Sequence, residues 1–268
     1  MAAKHELSDF GKHEDSEIVR WNLLQRLQAD FCIDLEWPYF YKSPAWHNAK
    51  TVLDIGCGNG YYLAQISDRF PEKQCTGYDI SEDFIQIARS EFERDNLKFG
   101  VGDANAVDGK FDFIIARLVF QHLSDPAAVL RDIANAVTPK GHLLIIDARD
   151  DVRYYYPELP RFMAFFEAFI EAQKHRSLNR SFARHLSDNI ENYPQWRVEG
   201  SWEVLIPSAM PGNLERFQRI YGEVIQFVEE SESIDIDYAA LHQEWDAWCK
   251  RKDAYTHAGL SIVLLQKN

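Results

Sequence analysis

The chain predicts an α/β fold, a doubly wound and mostly parallel sheet of seven strands carrying helical cap insertions. Three observations carry this expectation. Short apolar runs alternate with segments of helical period across residues 51–147. One of them, FDFIIARL at 111–118, is apolar almost throughout, as a strand covered on both faces must be. A glycine-rich turn, within TVLDIGCGNGYY at 51–62, joins the first run to the helix that follows.

In chain order, residues 1–15 read as loose. From Ser16, a plausible N-cap, Val19, Leu23, Leu24, Leu27 and Phe31 recur at helical spacing and predict an amphipathic helix. The aromatic segment WPYFYKSPAW, 37–46, is broken by Pro38 and Pro44. It reads either as a cap crossing the mouth of a site or as aromatic packing of that cap onto the sheet. Val52, Leu53 and Ile55 make the first strand, and a helix begins near Tyr61. CTGYDI at 75–80 is the second strand. Ser81 then caps a helix that turns Phe84, Ile85, Ala88 and Phe92 inward. The third strand, 97–102, runs into Gly102-Asp103-Ala104, and the fourth is 111–118. Asp125-Pro126 pairs a cap with a first-turn proline; Leu130, Ile133, Ala134 and Val137 face inward until Pro139-Lys140-Gly141 stops the helix. HLLIID, 142–147, is the fifth strand.

Residues 151–195 read as a cap insertion holding YYYP at 154–157 and an aromatic-rich helix at 159–174. The sixth strand is 196–206 and the closing strand AGLSIVLL, 258–265. Between them, 211–252 carries two helices, one with Phe217, Ile220, Tyr221, Val224, Ile225 and Val228 at helical spacing. No linker separates these parts. The expectation is a single domain, 1–268, with an N-terminal helical cap at 1–48, a ligand-binding core at 50–150, and C-terminal strands with a helical insertion at 196–268.

The formal charge of −13 on 268 residues argues against nucleic acid, whose binders show a basic patch or stripe. The basic stretch KHRSLNRSFAR, 174–184, reads as a solvated helix face and its loop. Cys32, Cys57, Cys75 and Cys249 lack metal-ligand or C-x-x-C spacing, which predicts free thiols in a reducing compartment and no metal. No apolar run reaches the roughly 18 residues of a membrane span, and MAAKHELSDFGKHEDSE has no apolar signal core. A cytoplasmic protein without a membrane partner, monomer or homodimer, is expected.

Gly56, Gly58 and Gly60 allow a sharp turn and close approach of the backbone to a ligand, and the following helix start offers free N–H groups. A phosphate loop would need G-x-x-x-x-G-K-[ST], and a dinucleotide fingerprint would need a third glycine where Tyr61 stands. An acid ahead of alternating glycines suits a ligand bearing an amino group. LDIGCGNG at 53–60 resembles the first motif of the class I S-adenosylmethionine-dependent methyltransferases. The resemblance covers about residues 50–150 by motif and the remainder by arrangement. It implies S-adenosyl-L-methionine as cofactor and methyl transfer to an O, N or C atom of a small molecule. It also implies an antiparallel edge in which the seventh strand lies between the fifth and sixth.

The resemblance implies roles residue by residue. Asp79 would hold the ribose hydroxyls, or else stabilise the helix start beside Ser81. Asp103 would take the adenine amino group, with Asn105 able to do similar work, or would form a turn. Asp54 matches the acid near the ligand's amino-acid end, or is structural. Cys57, Ile80, Ala104 and Leu118 complete the expected cofactor contacts. Arg117 would pair with the cofactor carboxylate or an acidic acceptor, or bond neighbouring carbonyls. His122 is the candidate proton acceptor, or a structural histidine. The expected acceptor pocket is Tyr39, Tyr41, Gln121, His122, Arg149, Tyr154 and Tyr155, while Phe162, Phe165, Phe166 and Phe169 could wall a water-poor pocket or, being at helical spacing, pack as core. Other sulfonium chemistry, such as cyclisation of the cofactor, and a cofactor-binding scaffold with a protein partner are the competing readings.

Overall fold

A computed structural model describes residues 15–104, 106–231 and 234–268; the expectations for residues 1–14 and Asn105 lie outside it. Helix α1 (Asp15–Glu36) begins a residue before Ser16, whose side chain is likewise outside the described set. A 3-10 turn at Trp37–Tyr39 leads to α2 (Pro44–Asn48), capped by Ser43. There follow β1 (Thr51–Ile55), α3 (Tyr61–Arg69), β2 (Gln74–Asp79), α4 (Glu82–Phe92), β3 (Leu97–Val101), β4 (Phe111–Arg117), α5 (Pro126–Ala136) and β5 (Val137–Tyr156). The second half holds α6 (Pro160–His175), α7 (Phe182–Leu186), β6 (Trp196–Pro207), α8 (Asn213–Ser231), α9 (Tyr238–Cys249) and β7 (Tyr255–Lys267).

Among the described residues the sheet has seven strands in the order β3-β2-β1-β4-β5-β7-β6. Strands β1 to β5 are mutually parallel, and β7 runs antiparallel to both its neighbours, as the resemblance implies. The two-residue period of the strands separates two cores. Val52, Phe113, Ile115, Leu144 and Ile146 face α1, α3, α4 and the C-terminal helices, while Leu53, Ile114, Leu143 and Ile145 face α5 and α7.

Three expectations change. Strand β5 begins at Val137 and takes in Pro139-Lys140-Gly141, read from the sequence as helix end and stop. Nor does it stop at Asp147. After an irregularity between Arg149 and Tyr154 it resumes, and Tyr154, Tyr155 and Tyr156 pair with His257, Thr256 and Tyr255 of β7. The three tyrosines are therefore sheet residues. Tyr154 and Tyr156 are exposed, and Tyr155 is buried against Phe162 and Trp248. The WPYFY cap also lies elsewhere than expected. Fully buried Trp46 meets Phe113 edge to face at 5.2 Å, near the amino end of β4, and Phe40 packs on both. The Lys73 ammonium holds this cap by donating to the carbonyls of Trp46 and Ala49 (2.7 and 2.6 Å). The segment plugs the amino ends of the strands, away from the carboxyl ends where ligands of such sheets sit.

Over those carboxyl ends, α6, α8 and α9 form a roof. Phe162 stacks on Trp245 at 4.9 Å, Trp245 on Trp248 at 5.5 Å, and Phe217, Tyr221, Ile225 and Val228 of α8 are buried beneath it. The apolar stripe of α8 is thus consumed inside the chain. No described helix is long and apolar enough to cross a membrane.

Candidate functional site

At the strand carboxyl ends the roof covers a cavity of about 410 Å³. Its floor comes from successive strand ends: Asp54, Gly56, Cys57 and Gly58 after β1, Asp79 and Ile80 after β2, Asp103 and Ala104 after β3, and Arg117, Leu118, Gln121 and His122 after β4. The residues expected to contact a cofactor line this cavity, with one exception. Gly60 does not line the cavity; it begins α3 with φ +76°, and a Cβ there would lie 2.7 Å from the Phe99 ring and 2.8 Å from Ala88. Its missing side chain serves helix packing.

The glycine loop is clamped from two sides. From below, the Asp79 carboxylate accepts the Gly58 N–H at 2.8 Å and the Ser81 N–H at 2.9 Å. The helix-start alternative for Asp79 is seen in the Ser81 bond, and the Ile80 N–H adds a third backbone donor to the carboxylate. Burial raises its pKa, and these N–H donors oppose the rise. From above, α1 lies against the loop: the Asn59 N–H donates to Gln25 Oε1 at 2.8 Å, and Asn59 Nδ2 to the Asn22 carbonyl at 3.1 Å and its Oδ1 at 2.6 Å. A Cβ at Gly58 (φ +53°) would come within 2.3 Å of Gln25 Oε1, so the loop's glycine admits the helix as well as a ligand.

Arg117 is more committed than expected. Its Nε lies 2.9 and 3.0 Å from the two Glu36 carboxylate oxygens, Nη2 donates to the Gln28 carbonyl at 3.1 Å, and the guanidinium sits 4.7 Å from the Tyr62 ring centre. Glu36 is fully buried and the Arg117 side chain 8% exposed. The charge reserved in the sequence reading for a ligand carboxylate is answered by α1. Beside it, Asp54 Oδ1 is buried without a hydrogen-bond partner among the described residues. Burial pushes the Asp54 carboxyl up to about 8, with Arg117 opposing.

His122 ends the 3-10 turn Phe120–His122. Gln121 Oε1 accepts the Ala148 N–H at 3.0 Å, so its amide nitrogen, 3.0 Å from His122 Nε2, is the donor and Nε2 the acceptor. Burial, reinforced by Arg180, lowers the His122 pKa to about 3. The ring is a neutral hydrogen-bonding group, and a poor proton store near neutrality.

The remaining acceptor candidates lie outside the cavity wall. Tyr39 packs on Trp202 at 5.4 Å and Tyr41 on Trp37 at 6.0 Å, both in the amino-end cap. Arg149 pairs with Asp151 and Glu203 (3.1 and 2.9 Å). Tyr154 stacks on His257 at 5.5 Å, and Tyr155 is buried in the aromatic roof. In exchange, the cavity uses residues that periodicity reads as core or surface. Trp21, Leu24 and Phe31 of α1, and Phe166 and Phe169 of α6, line it, as do Arg153 and Arg180. Phe162 and Phe165 are core as expected. Arg180 belongs to the basic stretch 174–184, so that stretch is only partly a solvated face.

Comparison with known proteins follows the same outline. The family described as "Methyltransferase domain" matches residues 46–206. A fatty-acid O-methyltransferase of Mycolicibacterium smegmatis is 27% identical over 193 residues, which are 70% of this chain and 65% of that protein. A tRNA U34 carboxymethyltransferase of Campylobacter curvus is 31% identical over 142 residues, 49% of this chain and 47% of that protein. The chain therefore spans less than two thirds of either relative. In the solved structures, a phosphoethanolamine N-methyltransferase 2 of Haemonchus contortus in complex with S-adenosyl-L-methionine superposes with a TM-score of 0.57. At 18% identity, covering 98% of this chain and 60% of that one, this is a likeness of fold.

Replacing Glu36 by Gln leaves the Arg117 charge buried without its counterion. The expected loss is about 3–5 kcal/mol of unfolding free energy in urea titration; an unchanged midpoint would show that the pair does not hold α1 to the sheet.

Proposed function

We propose, from the premise that the chain belongs to the class I S-adenosylmethionine-dependent methyltransferase family, that it transfers the cofactor's methyl group to a small molecule enclosed in the cavity. The observation that carries this reading is the continuity of the space. One cavity runs from the clamped glycine loop and the strand-end acids to an apolar chamber under α6 and α8.

The residues present suit the cofactor. Asp54 offers an unpartnered buried carboxyl oxygen where an ammonium would be held. Asp79 and Asp103 stand at neighbouring strand ends where ribose hydroxyls and an amino group would be bonded. S-adenosylmethionine, when bound, supplies a methyl group on a sulfonium leaving group. The chain's own work is to orient and to exclude water. Asp79 keeps the loop in place, Gln121 fixes the His122 ring, and aromatic residues of α1, α6 and α8 wall off solvent. Alignment of this kind can supply up to about 7–11 kcal/mol in favourable intramolecular models.

The apolar lining of the cavity and the charge of −13 favour a small acceptor over a polynucleotide. The similarity over 70% of the chain to a protein named for fatty-acid O-methylation points the same way, while the tRNA-named relative aligns with about half of it. The buried stripe of α8 counts against a scaffold that docks a partner there. Buried free thiols at Cys32, Cys57 and Cys75 suit a reducing compartment, the cytoplasm.

Binding is expected to depend on pH through Asp54. In the free protein this carboxyl is neutral below about pH 8, and an ammonium partner requires it ionised. Each complex formed below that pH must release a proton, so affinity falls by up to roughly tenfold per unit between pH 8 and 6. Above pH 8 the ligand's own amine loses its proton, and affinity falls again. Calorimetry across this range should show a maximum near pH 8 that Asp54→Asn flattens; a flat wild-type profile would remove Asp54 from the ammonium site. The reaction is checked with methyl-labelled S-adenosylmethionine and a small-molecule cell extract. Label in an extractable product, with S-adenosylhomocysteine released, is expected. Methylthioadenosine, or label confined to RNA, would contradict the reading.

A further inference from the structure

Besides the strand-end acids and Arg117, two further arginines line the cavity. The register shift of β5 between Arg149 and Tyr154 spans Asp150 and Arg153. The loop after α6 delivers Arg180. The Asp150 carboxylate accepts Arg180 Nε at 2.6 Å and Nη2 at 3.2 Å, and also Nη2 of Arg153. The Arg153 guanidinium carbon lies over the Phe166 ring, 3.3 Å from its centre, with the Tyr221 ring at 5.8 Å. The Nε and Nη1 of Arg153 are buried with no hydrogen bond of good geometry among the described residues, the Tyr155 hydroxyl being the polar group beside them. Both arginines line the cavity, with side chains 13% and 10% exposed.

Two guanidiniums thus share one carboxylate. The other titratable groups facing them restore the balance only in part. His122 is neutral, the Asp147 carboxyl beside Arg180 is pushed by burial up to about 7 and is partly ionised near neutrality, and Asp151 is engaged by Arg149 and Arg184. Among apolar walls, a cation answered only in part and two donors without a good hydrogen bond are costly unless a ligand answers them. Resting on the methyltransferase reading above, we propose that Arg153 and Arg180 receive the carboxylate of a small apolar acid, and that an oxygen of this carboxylate is the atom methylated.

The chemistry agrees with the neighbours. A guanidinium fork matches a carboxylate in geometry and charge. An ammonium would be repelled by the pair and has no lone pair to take the methyl group, and an alcohol nucleophile would need a base that His122 does not provide. A carboxylate is already ionised at neutral pH. An oxygen lone pair forms the O–CH₃ bond while the S–CH₃ bond breaks and its electron pair goes to sulfur. The sulfonium becomes a neutral thioether, the acid a neutral methyl ester, and no proton moves. The ester has lost the charge that held it to the arginines, which favours release. The walls, Phe169, Phe217, Ile220 and Val224 among them, suit an aliphatic or aromatic tail.

The test measures equilibrium binding to protein loaded with S-adenosylhomocysteine. The probes are straight-chain acids from hexanoate to tetradecanoate, each with the matching alcohol, amine and alkyl phosphate. The acids are expected to bind at least about tenfold more tightly than their alcohols, the amines not measurably, and methyl esters to form from the acids with S-adenosylmethionine. Arg153→Met should weaken acid binding by about tenfold or more and leave S-adenosylhomocysteine binding within about twofold, with Arg153→Lys between. An alcohol, amine or alkyl phosphate preferred over the acids in the wild-type protein, or no acid bound better than its alcohol, would overturn the assignment whether or not the variants fold. Failure to bind S-adenosylhomocysteine, with the acid preference intact, would instead overturn the methyltransferase reading.

Discussion

The buried ion pair between Arg117 and Glu36 is the interaction on which the site depends. It joins the last turn of α1 to the tip of β4, both partners removed from water. A buried pair repays its desolvation when the geometry is good and further hydrogen bonds satisfy the charges. Here both Glu36 oxygens face Arg117, and the guanidinium also reaches the Gln28 carbonyl and the Tyr62 ring. With that end of α1 anchored, Asn22 and Gln25 fall onto Asn59 of the glycine loop, and Tyr61 reaches Asp30 at 2.9 Å. The loop is then held between α1 above and Asp79 beneath.

The clamp makes a surface turn into one wall of the cavity, and the roof of α6 and α8 makes the other. Asp54, Asp79 and Asp103 gather with Arg117 around the glycine loop, Arg153 and Arg180 share Asp150, and aromatic and aliphatic side chains complete the wall. Apolar surroundings leave the fields of these groups little screened, so each orients the charged part of a ligand that it meets. Binding and orientation come from one arrangement.

Much of this was legible in the chain. The LDIGCGNG turn, the acids at strand ends and the alternation of strand and helix are local signals, and the structure brings their residues to one cavity. Long-range pairing was less legible. The tyrosines 154–156 follow a charged interruption at Asp150, Asp151 and Arg153, and their place in β5 is set by the register against β7, about a hundred residues on. Aromatic density in WPYFY announces burial without saying at which end of the sheet. Helical period marks Phe162, Phe165, Phe166 and Phe169 as an apolar set, while neighbours decide which meet core and which meet cavity. Arg180 looks solvated in a basic stretch until Asp150, distant by 30 positions, draws it inward.

Hydrogen exchange with and without S-adenosylmethionine tests the account most directly. The cavity beneath α1 is expected to hold the cofactor, so binding should slow exchange at the amides of Gly58 and Asn59 and along α1 from Gln25 to Phe31, where helix and loop meet. Binding with protection confined to other segments, or no binding of the cofactor at all, would contradict it.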